Sequence, residues 1–214
     1  MLSKDNSKQA ANEILGLMRQ SVARMSSLID NVLDFARGRL GGGIAVQRSP
    51  QSMEPVFSQV VAEFRASSPE IKIETTFDLT QQVDCDGGRM AQLLSNLLGN
   101  AITHGTAAQP IHVRAATQNG EFELSVVNSG EPIPSEATDR LFQPFYRVST
   151  EDDQRGLGLG LYIASEIARA HGGIIEVTSS LRRRGSHSAC RACDIPSRGG
   201  DEKDVAACEN CLTQ

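Results

Sequence analysis

The chain has 214 residues, 39% of them hydrophobic, with no tryptophan and 4% aromatics, enough for one medium-sized core with appendages. A formal net charge of −5 excludes the basic surface that sequence-independent nucleic-acid binding requires. No apolar run approaches the roughly 18 residues of a membrane span, and the polar start "MLSKDNSKQAANE" is unlike a signal peptide, so a cytoplasmic protein is expected.

Ile14, Met18, Val22, Met25, Ile29, Val32 and Ala36 recur at spacings of four and three, the seam of a helix that packs along another helix. Residues 1–43 are therefore expected to form a helical segment that seeks a partner in a bundle or a homodimer. The glycines of "RLGGGI" end it, because each costs backbone entropy inside a helix.

Residues 44–180 read as a mixed domain. "EPVFSQVVAEFRA" has helical periodicity, "IKIETTFDL" alternates as a strand, and "GGRMAQLLSNLLGNAITHG" is a strong helix. "IHVRAATQ" and "EFELSVVN" alternate on either side of "NG", a hairpin signal. A further helix starts near Leu159, and "IIEVTSS" supplies another strand. A meander of strands with helices covering one face predicts an α+β two-layer sandwich.

Polar residues stand out against this frame. Gln92, Asn96 and Asn100 lie four apart on an otherwise apolar helix, with His104 one turn further. Burying such an amide stripe is costly without partners; a metal-bound phosphate chain is one candidate partner and neighbouring loops to be capped are another. In "VVNSGEPIP", Asn128 offers an amide that both accepts and donates, and Gly130 admits close approach of a flat group. "LFQPFYR" places Phe142 and Phe145 around Pro144, and "VSTEDDQR" reads as a lid. In "RGLGLGL", Gly156, Gly158 and Gly160 remove side chains where N–H groups would turn toward an anion at a helix start. No parallel βαβ unit surrounds this loop, so it is not a dinucleotide fingerprint.

In this order, the asparagine helix, "NSG", "LFQPF" and "GLGLGL" resemble the catalytic ATP-binding domain of sensor histidine kinases, within the gyrase, Hsp90, histidine kinase and MutL superfamily. "RMSSLIDNVLDFARGRLGGGI" resembles the second helix of the dimerisation and histidine phosphotransfer hairpin. The resemblance implies a Bergerat-type fold, ATP and Mg²⁺ as ligands, and a response regulator as downstream partner. It further implies that Asn100 binds Mg²⁺ and that Thr103 and His104 lie near the phosphates. Asn96 stands where superfamily hydrolases carry a water-activating glutamate; its amide is no general base, which implies transfer and not hydrolysis. Asn128 stands where the family more usually has an aspartate beneath the adenine amino group, and still accepts that hydrogen bond without charge assistance. Gly130, Ile133, Phe142, Gly156, Gly158, Gly160 and Leu161 complete the implied nucleotide set.

Two departures from the family pattern shape the expectations. The family's acceptor is a histidine followed by an acidic residue on the first hairpin helix, and none of His104, His112, His171 and His187 has that context. The chain is thus expected to be a truncated kinase that does not phosphorylate itself in cis and acts on a phosphotransfer hairpin in trans. Secondly, "LRRRGSHSACRACDIPSRGG" does not alternate as the final family strand, T-x-F-x-F-x-x-P, would. Residues 181–214 are therefore expected to be an atypical tail, disordered or read in a shifted frame. Codons for "PEETRFTFRMP", read one base later, can spell Leu181–Cys190. The competing expectation is a four-thiolate zinc site, since Cys190 and Cys193, then fourteen residues, then Cys208 and Cys211 have tetrahedral-site spacing. With that site, the alternative for the whole chain is a non-catalytic nucleotide-binding interaction module.

Overall fold

A computed structural model of the protein describes residues 43–106, 108–118, 120–147, 157–182 and 185–196 and much of a helix between residues 14 and 38, with side chains beyond 179 outside it. Helix α1 runs through 28–38, with described turns back to residue 14. It is followed by β1 (Ser49–Gln51), α2 (Met53–Ser67), β2 (Ile73–Asp78), β3 (Val83–Cys85) and α3 (Gly87–His104). Then come β4 (Ile111–Gln118), β5 (Glu121–Ser129), the short α4 (Ser135–Thr138), α5 (Gly160–Ala170), β6 (Ile174–Arg182) and β7 (Gly185–Pro196).

Five strands form one sheet in the order β2-β4-β5-β7-β6, and β1 pairs with β3 in a separate ribbon. The predicted hairpin holds for β4–β5, which is antiparallel, whereas β2 lies parallel to β4. Alternation decides the faces: Ile111, Val113 and Ala115 of β4 and Phe122, Leu124 and Val126 of β5 are buried, while His112 and Arg114 are exposed. Gln118 pairs with Glu121, closing the predicted two-residue turn with Gly120 at φ +84°. The buried face is covered by Phe57 and Val61 of α2, Leu93, Leu94, Leu97 and Leu98 of α3, and Ile163 and Ile167 of α5. Phe57 stacks on Phe122 with centroids 5.9 Å apart. These are the two layers of an α+β sandwich.

One expectation is corrected. Residues after 180 were expected to form no strand, yet β6 runs to Arg182 and β7 lies between β5 and β6, paired antiparallel to both. Ladder hydrogen bonds come from the main chain and need no side-chain alternation, so a slot flanked by two unpaired edges recruits this segment in spite of its pattern. The sheet accordingly extends past residue 180, to Pro196.

A polar knot fixes where α3 begins. Asp86 caps it, one carboxylate oxygen accepting from Arg89 N at 3.1 Å and the other from Gln47 N at 3.0 Å. Burial pushes the Asp86 carboxyl up, but these backbone hydrogen bonds outweigh it and hold the group below its ordinary value. The buried His171 ring accepts from Asp86 N at Nε2 (3.0 Å) and donates from Nδ1 to Ile167 O (2.8 Å). The end of α5 is thereby tied to the start of α3. Nearby, the buried Cys85 thiol donates to Met53 Sδ at 3.3 Å, and burial pushes it up to about 12, which leaves it inert.

Helix α1 docks on the domain through one face only. The Asp34 carboxylate, 4% exposed, accepts from Arg89 Nη1 at 2.7 Å and Gln92 Nε2 at 2.9 Å. Phe35 meets the rings of Phe145 and Tyr162 edge-on, at 5.0 and 5.8 Å. The stripe Ile14, Met18, Val22, Met25, Ile29 and Val32 faces outward, each residue 46–60% exposed. Asp34→Ala is expected to leave Gln92 Nε2 without its acceptor and Arg89 Nη1 with Gln92 Oε1 alone, at a cost of about 2 kcal/mol. Amide exchange over 28–38 should then quicken while the sheet stays protected; unchanged exchange would assign the docking to Phe35 alone.

Candidate nucleotide site

The site grows from α3. Its apolar residues Met90, Leu93, Leu94, Leu97, Leu98 and Ala101 are buried against the sheet, so the amides Gln92, Asn96 and Asn100, four apart, occupy the adjoining flank. Asn96 Nδ2 is buried and has no hydrogen-bond partner among the described residues. An orphaned amide costs about 1–3 kcal/mol, and its surroundings indicate what would satisfy it. Across from Asn96 lies the start of α5, where a Cβ on Gly160 would stand 3.7 Å from Asn96 Oδ1. The residue before it, Leu159, provides no side-chain cap, so this 11-residue helix starts beside Asn96 with its first-turn N–H groups uncapped by that side chain. An orphan amide donor opposite an uncapped helix start suits the oxygens of a phosphate chain.

The glycine loop is bolted to the segment "LFQPFYR". Gly158 has φ +68°, and a Cβ there would lie 3.1 Å from Phe145 C and Tyr146 O. Phe145 N donates to Gly158 O at 3.0 Å. Phe145 itself has φ +63°, a left-handed backbone uncommon for an aromatic residue, and its ring is the one that Phe35 of α1 touches. Gly156 lies outside the described residues.

The other end of the site is narrow. Gly105 and Gly130 form an isolated antiparallel bridge, and a Cβ on either would collide with main chain, with Ala101 O and His104 O respectively. Asn128, 8% exposed, sits beneath, its Nδ2 within 3.4–3.5 Å of both positions. Ala101, Gly105, Thr106, Ile111 and Asn128 contribute to the lining of a cavity of about 50 Å³ here. Ile133 N donates to Ser179 Oγ at 3.0 Å, tying the segment after β5 to β6.

The structure therefore brings Asn96 to Gly160, Gly158 to Phe145, and Asn128 to Gly130. Asn100 is half-buried one turn beyond Asn96, and Phe142 and Leu161 are half-buried. Thr103 is exposed with its hydroxyl donating to Gly99 O at 2.8 Å, and His104 is exposed on the last turn. Gly105 was not singled out from the sequence; the "HG" that ends the helix was its only signal. A larger cavity, about 510 Å³, lies at the opposite end of α3 between Gln47, Gln59, Glu63 and Gly87, and holds none of these residues.

Mg²⁺ keeps most of its shell from phosphates and water and takes one or two oxygens from protein, a demand that the Asn100 amide oxygen fits. Among the described residues no cluster of three or more His, Cys, Asp or Glu side chains forms a metal site. The thiols of Cys190 and Cys193, and Cys208 and Cys211 altogether, lie outside those residues.

The two-layer fold defines the class, and the sequence comparison agrees. Residues 85–193 match the family described as Histidine kinase-, DNA gyrase B-, and HSP90-like ATPase, and the chain belongs to that family. Its relatives are sensor kinases and phytochromes. The Bacteriophytochrome of Pseudomonas aeruginosa is 35% identical over 159 residues, 73% of this chain and 22% of that protein. Sensor protein CutS of Streptomyces coelicolor is 33% identical over 157 residues, 71% of this chain and 37% of that protein. This chain thus spans less than half the length of either relative. Among solved structures, full-length ShkA in complex with AMPPNP has a TM-score of 0.67 at 26% identity, over 89% of this chain and 40% of that one. The nucleotide-free catalytic domain of histidine kinase ThkA has a TM-score of 0.55 at 27% identity, over 70% of this chain and 95% of that one. Among the described residues no helix is long and apolar enough to cross a membrane.

Proposed function

We propose that this chain holds Mg·ATP along α3 and transfers its γ-phosphoryl group to a histidine on a phosphotransfer hairpin supplied in trans, within a relay that ends at a response regulator. The observation that carries the reading is the unpartnered Asn96 amide facing the uncapped start of α5. In this reading the acceptor imidazole attacks the γ-phosphorus, the bond to the β,γ-bridging oxygen breaks, and ADP leaves. Asn96 and the first-turn N–H groups of α5 hold the phosphates, Asn128 faces the base, and Asn100 holds the metal. Bound Mg²⁺ neutralises charge on the β- and γ-phosphates.

Transfer is favoured over hydrolysis because position 96 carries an amide, which cannot take a proton from water. Reaction in trans is supported by the context of the histidines, since Gly105, Val113, Gly172 and Ser188 follow them and no acidic residue does, and His171 is in addition fully buried with both ring nitrogens engaged. A cytoplasmic setting follows from the need for ATP. With labelled ATP, a hairpin bearing its acceptor histidine should become labelled with acid-labile, base-stable phosphate while this chain stays unlabelled. Robust labelling of this chain on a histidine would overturn the trans assignment.

A further inference from the structure

We infer that Asn128 lets the base end of this site accept purines carrying either an amino group or a carbonyl at the 6-position. The inference rests on the nucleotide reading above and concerns only base selection. Asn128 is more than nine-tenths buried, so a purine edge that leaves its amide unpaired pays for the lost hydrogen bond. Its side chain makes no hydrogen bond to any described residue, and nothing there fixes which way the amide faces. The Thr106 hydroxyl, in the lining of the same cavity, is already committed: Thr106 donates to Ser129 O through both its N–H (2.7 Å) and its Oγ1 (3.2 Å).

An amide carries an acceptor and a donor of nearly equal size. Turning it about its last torsion, which is broad and roughly two-fold, exchanges them with little change in shape. With Oδ1 toward the base it accepts from a 6-amino group; with Nδ2 toward the base it donates to a 6-carbonyl. A carboxylate at this position has acceptors only and would meet a 6-carbonyl lone pair to lone pair, without solvent to screen its charge. The Gly105–Gly130 bridge supplies the rest of the selectivity. Main chain fills the Cβ direction of both glycines, so the bridge closes the backbone over Asn128 and leaves its amide as the polar group that reads the 6-substituent.

Calorimetry with Mg·ATP and Mg·ITP tests this, inosine differing from adenosine in its 6-carbonyl and the N1–H that accompanies it. The parent chain should bind ITP within about tenfold of ATP, a difference of at most about 1.4 kcal/mol. Asn128→Asp should widen the ITP-to-ATP ratio of dissociation constants by about tenfold or more. ITP weaker than ATP by more than that margin in the parent overturns the inference, as does an unchanged ratio in a folded Asn128→Asp chain. If that variant does not fold, the parent ratio decides by itself. Binding of neither nucleotide sinks the nucleotide reading, whereas binding of ATP with exclusion of ITP sinks only the inference about Asn128.

Discussion

Asn100→Ala is expected to remove the Mg²⁺ dependence of ATP binding and to weaken binding in the presence of the metal on the order of 100-fold, as loss of a metal-orienting group does. Asn100 is half-buried on the flank of α3 and not among the apolar residues that anchor that helix. Its loss should therefore change stability by only about 0.5 kcal/mol. Titrating parent and variant with ATP, with and without Mg²⁺, separates the two effects. Equal affinity of the parent chain under both conditions would show that Asn100 holds no metal.

The largest effect on stability is expected at His171. Replacing it with alanine leaves Asp86 N–H without its acceptor, removes the side-chain hydrogen bond to Ile167 C=O and opens a void in a fully buried position. The cost should be about 3 kcal/mol, or a melting temperature lower by about 6–12 °C. The substitution should also change the pH dependence. Burial holds the His171 imidazole below its ordinary value, against a smaller upward pull from the Ile167 hydrogen bond. Below about pH 6.5 the unfolded chain takes up a proton that the folded chain refuses. Stability of the parent should therefore fall as the pH drops from about 6.5 toward the folded value, and His171→Ala should lack this contribution. Denaturant midpoints at pH 7.5, 6.5 and 5.5 check it; identical slopes in the two chains would remove His171 from the linkage.

Local pattern made the secondary structure legible where one face of an element is buried. The period of α3, the alternation of β4 and β5, the turn at Gly120 and the start of α5 within one residue of Leu159 all follow from that rule. The sequence offered the candidate site as a list of residues, and the structure adds which of them meet: Asn96 with Gly160, and Asn128 with the bridging glycines. What the sequence hid were long-range main-chain and charge contacts. Gly105 is needed only because Gly130 crosses it, and Asp34 looks like an exposed helix residue until Arg89 and Gln92 reach it from 55 and 58 residues away. Strand β7 was missed for a different reason, since its pairing is dictated by the neighbouring edges and not by its own alternation.

The place of β7 also orders the events of synthesis. β6 touches the sheet only through β7, so when residue 182 leaves the ribosome, β6 has no strand of this sheet to pair with. β5 meanwhile keeps an open edge on that side until residues 185–196 emerge. β6 and β7 close on each other as a hairpin, Arg182 opposite Gly185, but pairing of β7 with β5 joins Ser129 to His187 and Glu121 to Pro196, a non-local step that is slower and exposed to mispairing while it waits. Through that interval the nascent domain already has α3, β4 and β5 in hand while α5 and its glycine loop rest on an unfinished sheet. The nucleotide flank should therefore be the last part of the molecule to acquire its shape, and the part that a nascent-chain chaperone or a translational pause near residue 196 would protect.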